Sequence, residues 1–201
     1  MNKLDIYFDY VSPFPYLLNE YILKNKTEEK YSLDIEWIPI FLGGLWPQTN
    51  HTPPNASDER KMRYTAIEAK RYADDLGVNY QMNLFKPIPV LRATLAAKKQ
   101  NLFKYFHTAL YRQIQGLGQT PDEALFAKTI MELGGNAERL LQDMGSAEIK
   151  NELLANAQKA LANDVFGVPF VIYDKQPYWG YNHFPYLLKE LKKKHLEPSN
   201  N

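Results

Sequence analysis

The sequence predicts an α/β frame that carries a long all-helical insertion, on three observations. The first forty or so residues read as strand, turn, helix and strand; residues 57–163 carry helical signals alone; and a β-prone run with an internal proline, 165–173, restarts the frame. The 201-residue chain therefore divides into a discontinuous frame over 1–56 and 164–201 and a helical insertion over 57–163.

Leu4 to Tyr10 is a short run of β-formers without Gly or Pro, and Ser12-Pro13 stops it. Serine is a preferred N-cap and proline suits the first helical position, so a helix is expected from Pro13 through Tyr16, Leu17, Glu20 and Tyr21 to Lys24. The polar stretch from Asn25 to Lys30 ends it. Tyr31 to Ile40 places Leu33, Ile35 and Trp37 on one side of a second strand, completing a βαβ unit. Phe41 to Pro54, rich in Gly, Pro, Thr and Asn, is longer than a minimal connection and reads as a structured binding loop.

Within the insertion, Met62, Ala66, Ala69, Ala73 and Leu76 form one apolar helical stripe. Thr120-Pro121-Asp122-Glu123 has the form of a capping box, and Ser146 is placed to cap a last helix through Leu153, Ala157 and Leu161. Beyond it, Val165 to Tyr173 is β-prone; Pro169 inside the run cannot donate to a ladder and marks a strand start, an edge or a cis turn. Asp174-Lys175-Gln176 then makes a hairpin turn into Pro177-Tyr178-Trp179, and a final helix follows Gly180 with Phe184, Leu187, Leu188 and Leu191 on its apolar face.

Composition removes several classes of function. Lys and Arg total 24 against 23 Asp and Glu, so the net charge of +1 gives no general attraction to nucleic acid or to anionic membranes. No run of about 18 apolar residues offers a spanning helix, and the N-terminus lacks the basic and apolar regions of a secretion signal, so a cytoplasmic protein is expected. Cysteine is absent, which excludes disulfide exchange by the chain itself and any cysteine nucleophile. The four histidines have no metal-ligand spacing.

Three segments carry a resemblance over almost the whole chain: Phe8-Asp9-Tyr10-Val11-Ser12-Pro13-Phe14; Phe41-Leu42-Gly43-Gly44 with Thr49-Asn50-His51-Thr52-Pro53-Pro54; and Phe166-Gly167-Val168-Pro169 with Tyr178-Trp179-Gly180. In this order they make the chain resemble the DsbA-like, thioredoxin-fold family that includes kappa-class glutathione transferases and 2-hydroxychromene-2-carboxylate isomerases. The resemblance implies a thioredoxin-like frame, glutathione as cofactor and a homodimer. It implies reversible interconversion of 2-hydroxychromene-2-carboxylate and trans-o-hydroxybenzylidenepyruvate, or a transferase reaction on an aromatic or conjugated electrophile. Ser12 stands where a redox member would carry cysteine. There it would hold the ligand's sulfur as thiolate, since a hydroxyl donor and a helix N-terminus both favour the anion.

By the same resemblance Val168, ahead of Pro169, would pair the cysteinyl backbone of glutathione. Asn50 and His51 would lie on the loop that faces it, and Tyr181 and Asn182 at its γ-glutamyl end. The chain departs from the family pattern twice. His51 stands where an Asn is usual, and Tyr181-Asn182-His183 replaces a pattern in which Asp and Arg hold the ligand's charged end. A second reading is therefore a non-catalytic module that binds a peptide or small thiol at the Val168-Pro169 edge. Other polar residues have humbler expectations: a local or buried hydrogen bond for Asp9, a packed or surface histidine for His107, and a solvated helix face for Arg60, Lys61 and Arg63.

Overall fold

A strand buried on both faces organises the molecule. In the computed structural model, which describes residues 2–48 and 58–196, β1 (Asn2–Phe8) sits inside a four-stranded sheet of order β2-β1-β3-β4. Its alternate side chains serve two cores. Leu4, Ile6 and Phe8 enter the main apolar cluster, while Tyr7 points into a smaller one with Ile38, Val168 and Phe170. β2 (Leu33–Pro39) runs parallel to β1, pairing Asn2 with Leu33 and Phe8 with Pro39. Parallel neighbours need a crossover, and α1 (Pro13–Lys24) supplies it. The polar stretch after α1 is not a plain loop. It forms the short α2 (Thr27–Tyr31) between two left-handed residues, Lys26 and Ser32.

β3 (Phe170–Tyr173) lies antiparallel to β1 and β4 (Gln176–Trp179) antiparallel to β3. The β-prone run from Val165 thus joins the sheet only at Phe170, directly after Pro169, which has no N–H to give a ladder. The Val168-Pro169 peptide bond is cis. α10 (Phe184–Leu196) then packs Phe184, Leu187 and Leu191 into the main core.

Between β2 and β3 come α3 (Leu42–Leu45), α4 (Glu59–Leu76), α5 (Ile88–Lys98), α6 (Phe103–Tyr111), α7 (Glu123–Glu132), α8 (Ala137–Met144) and α9 (Ala147–Ala162). Ala69, Ala73 and Leu76 of the α4 stripe are buried, and Gly77 ends the helix in the left-handed region at φ 66°. Ser146 caps α9 through Ile149 N–H, as its sequence suggests. The cap of α7 is Asp122, whose carboxylate accepts from Leu125 N–H at 2.8 Å, and not Thr120. The helical stretch is also broken: 77–87 forms no helix or strand, since Gly77 stops α4 and Pro87 and Pro89 open α5. One buried cluster runs from β1, α1 and β2 through α4 to α9, so frame and insertion share a core. Among the described residues no helix is long and apolar enough to cross a membrane.

Candidate functional site

The turn between β1 and α1 is built around a buried carboxylate. Asp9 is wholly buried; its Oδ1 accepts from Val11 N–H at 3.3 Å and its Oδ2 from Leu42 N–H at 3.0 Å. Burial pushes the Asp9 carboxyl up to about 7, against the lowering effect of these amide donors. Its carbonyl accepts from Ser12 N–H at 3.2 Å and from the Tyr111 hydroxyl at 3.2 Å. Asp9 thus makes the buried local bonds expected of it, and it also ties the site turn to the start of α3.

Ser12 occupies the N-cap position of α1 with extended backbone, φ −93° and ψ 129°, and Pro13 follows at the first turn. Its hydroxyl makes no capping bond. Instead Oγ points across to Val168, 3.5 Å from the carbonyl oxygen, a long and weak contact that a better partner can displace. The helix end therefore presents a hydroxyl donor beside the Phe14 N–H, since Pro13 and Pro15 have no N–H and that of Ser12 is given to Asp9 O.

Val168 is buried opposite, and the residues before and after it fix the neighbouring wall. A side chain at Gly167 would meet Trp179 Nε1 at 2.5 Å, so only glycine lets the indole lie there. Gly180 has φ 91° and its N–H donates to Pro169 O at 2.9 Å, which pins the end of β4 to the Val168-Pro169 turn.

Two cavities meet at this wall. One, about 300 Å³, is bordered by Ser12, Leu42, Met62, Tyr80, Gln115, Phe166 and Trp179 and contains no charged lining residue among those described. The other, about 670 Å³, is bordered by Arg60, Lys61, Glu68, Tyr72, Tyr181, Asn182 and His183. Phe14, Thr65, Val168 and Trp179 line both. Ser12 and Val168 thus meet at the first cavity, and Val168, Tyr181 and Asn182 at the second. Pro169 is buried behind Val168 and lines neither. Asn50 and His51 lie outside the described residues.

Of the three cations in the first turns of α4, Arg60 and Lys61 reach the larger cavity, and Arg63 pairs with Glu59 at 3.6 Å. Arg60 is already paired with Asp58 at 3.1 Å, whereas Lys61 has no ion pair among the described residues. His107 is fully buried among Phe8, Trp37, Phe103 and Tyr111, and desolvation pushes its imidazole down to about 3. It belongs to the core.

The lining residues that sequence reading missed are Tyr80, Met82, Leu84 and Gln115. The signal for the first three was present. Val78-Asn79-Tyr80-Gln81-Met82-Asn83-Leu84 alternates apolar and polar residues with period two, which a helix cannot use. The segment forms no helix or strand and hangs by Gln81 N–H on Gln115 O at 2.8 Å and by Asn83 Nδ2 on Gln119 O at 2.8 Å.

A sequence model described as the DSBA-like thioredoxin domain matches residues 3–192. A 2-hydroxychromene-2-carboxylate isomerase from Sphingobium xenophagum is 27% identical over 195 residues, covering 92% of this chain and 95% of its own length. Glutathione S-transferase kappa 1 of Caenorhabditis elegans is 36% identical over 52 residues, 26% of this chain and 23% of its own. Among solved structures, a 2-hydroxychromene-2-carboxylate isomerase superposes with a TM-score of 0.85 at 21% identity, covering 96% of this chain and 95% of that one.

Proposed function

The chain belongs to the DSBA-like thioredoxin domain family, and within it we propose a glutathione-dependent isomerase that interconverts 2-hydroxychromene-2-carboxylate and trans-o-hydroxybenzylidenepyruvate, or a related kappa-type glutathione transferase for aromatic or conjugated electrophiles. The observation that carries this reading is the Ser12 hydroxyl: free of capping, set at the N-terminus of α1, and bordering an apolar cavity opposite Val168, in a chain without cysteine. The isomerase relative aligned over nearly all of both chains supports the same direction.

The residues fit glutathione, a tripeptide with two carboxylates and one ammonium. Lys61 offers positive charge in the larger cavity beside the Arg60–Asp58 pair, and Glu68 on the same wall is an acid able to face the ammonium that Asn182 cannot pair by charge. Bound glutathione supplies the sulfur nucleophile that the chain lacks. Ser12 Oγ turns from Val168 O to donate to that sulfur, and the N-terminus of α1 adds its partial positive charge, so the thiolate is held at neutral pH. Val168 offers its backbone to the cysteinyl unit, and the smaller cavity excludes water from the electrophile's ring. A cytoplasmic homodimer is part of the same reading. So is the division into a thioredoxin-like frame over 1–56 and 164–201 and an insertion over 57–163.

The departure at Tyr181 and Asn182 favours one competitor, a non-catalytic module that binds a peptide or small thiol at Val168. Calorimetric titration with glutathione, followed by assay with hydroxychromene carboxylates, separates the two. Binding with turnover supports the enzyme, whereas binding without turnover of any conjugated electrophile supports the module, and absence of glutathione binding removes the enzyme reading.

A further inference from the structure

Gln115 is the most deeply buried polar side chain on the smaller cavity, 1% exposed. It lies in the π-helical turn Arg112–Gly116 that continues α6. Such turns redirect a side chain away from the regular helical face. Its orientation is settled by chemistry: Tyr10 O can only accept, so the group 2.7 Å from it is the Gln115 NH2. That leaves Oε1 as an acceptor with no partner among the described residues, in a cavity whose other lining is largely apolar.

Oε1 is not one of the fully enclosed unpaired atoms among the described residues, so it opens on the cavity, where a ligand or water completes it. Nearby, the Tyr80 phenol also makes no hydrogen bond among the described residues, and burial raises it to about 12, so it stays a neutral donor. The walls around both are Leu42, Met62, Met82, Phe166 and Trp179, and among the described residues nothing charged joins them. Few polar points on an apolar surface fix the orientation of a ligand. A flat uncharged ring fills such a space, and one hydroxyl on it satisfies the acceptor.

We propose that Gln115 determines specificity in this cavity: its Oε1 accepts a hydrogen bond from a hydroxyl on the ring of the substrate, so that the site selects hydroxyaryl compounds over their unsubstituted or O-methylated counterparts. The inference rests on the reading above only in taking the ring of the electrophile to occupy the cavity that Ser12 borders. It does not require that glutathione be the thiol.

The test is equilibrium dialysis of the whole protein, without glutathione, against 2-naphthol, 2-methoxynaphthalene and naphthalene. One net hydrogen bond corresponds to about five- to tenfold in affinity, so 2-naphthol should bind by that factor more tightly than 2-methoxynaphthalene. A bare apolar cavity would do the reverse, because a hydroxyl without a partner loses its hydration. In Gln115→Met the preference should vanish or reverse, while Tyr80→Phe should retain most of it. Should Gln115→Met fail to fold, the side-chain NH2 resonances of Gln115 in the unaltered protein give the same answer. At saturation they should move further downfield with 2-naphthol than with 2-methoxynaphthalene, whose ring current alone acts on them, and equal shifts would count against the assignment. Equal binding of the three ligands, or a preference that survives Gln115→Met and vanishes in Tyr80→Phe, overturns the assignment. A 2-naphthol preference in a protein that does not bind glutathione leaves this inference standing and removes the glutathione-dependent enzyme.

Discussion

Ser12 Oγ and Val168 O face each other across 3.5 Å, although 156 positions of sequence separate them. The contact joins the two halves of the frame at the point where the two cavities meet. It is too long to hold the hydroxyl firmly. On the proposed reading, this donor at a helix N-terminus, weakly engaged by a neutral carbonyl, would be released when an anionic sulfur offers a stronger, charge-assisted bond.

The wall shared by the cavities depends on a missing side chain. In Gly167→Ala the new Cβ would lie 2.5 Å from Trp179 Nε1, so the indole must move. We expect a loss of ~1–3 kcal/mol in stability, the usual range for overpacking, and weaker ligand binding at both cavities. Thermal unfolding and a calorimetric titration of the variant check this; unchanged ligand affinity would show that Trp179 is not part of the binding wall.

Asp9 should make the protein less stable as pH rises through the weakly acidic range. Its folded carboxyl is raised to about 7 from 3.8, so between these values the folded state holds a proton that the unfolded state has lost. Stability from this group is therefore fully present below about pH 4, declines toward pH 7 and is lost above it. Asp9→Asn removes that slope. Asparagine also cannot accept from both Val11 and Leu42 N–H through oxygen, so the variant should be weaker than the parent at low pH by ~1–3 kcal/mol, the cost of one unsatisfied buried donor. Melting curves of both proteins from pH 4 to pH 8 give the comparison.

His107 has the opposite sign. Burial lowers its imidazole to about 3 from 6.5, so between these values the unfolded state takes up a proton that the folded state refuses. Its neutral burial is stable above about pH 6.5 and becomes a liability as pH falls toward 3. His107→Phe, which suits the aromatic surroundings, should remove this acid sensitivity while changing stability at pH 8 by less than ~2 kcal/mol, as expected for a shape-tolerant core exchange. An unchanged acid limb in denaturation would show that His107 is protonated in the folded protein.

The frame was legible in the sequence because each of its parts carries a local signal. Pro13 marks the start of α1 by its ring, with Ser12 in the N-cap position but without a capping bond, and Pro169 marks where the third strand can begin to pair. Ser146 marks the start of α9 by accepting from Ile149 N–H. Thr120 did not mark α7, because Asp122 two residues later is the better-placed acceptor. The apolar cavity was harder to see. Tyr80, Met82 and Leu84 belong to a segment whose alternation was hidden inside a helical stretch, and Gln115 is aimed by a π turn that no 3.6-residue periodicity describes. Which of its two amide ends faces the cavity depends on Tyr10, 105 positions away. The loop residues Asn50 and His51 lie outside the described residues.

The central claim is that Ser12 holds a ligand's sulfur as thiolate. It is tested most directly by titrating the ultraviolet thiolate absorbance of protein-bound glutathione against pH, in the native protein and in Ser12→Ala. The bound thiol should have a pKa well below its ordinary value of about 8.5 or more, rising in Ser12→Ala by about one unit or more, as loss of a hydrogen bond to a charged group requires. Glutathione affinity at a pH where the thiol is neutral should barely change. An identical thiol pKa in the two proteins, with glutathione bound in both, would contradict it.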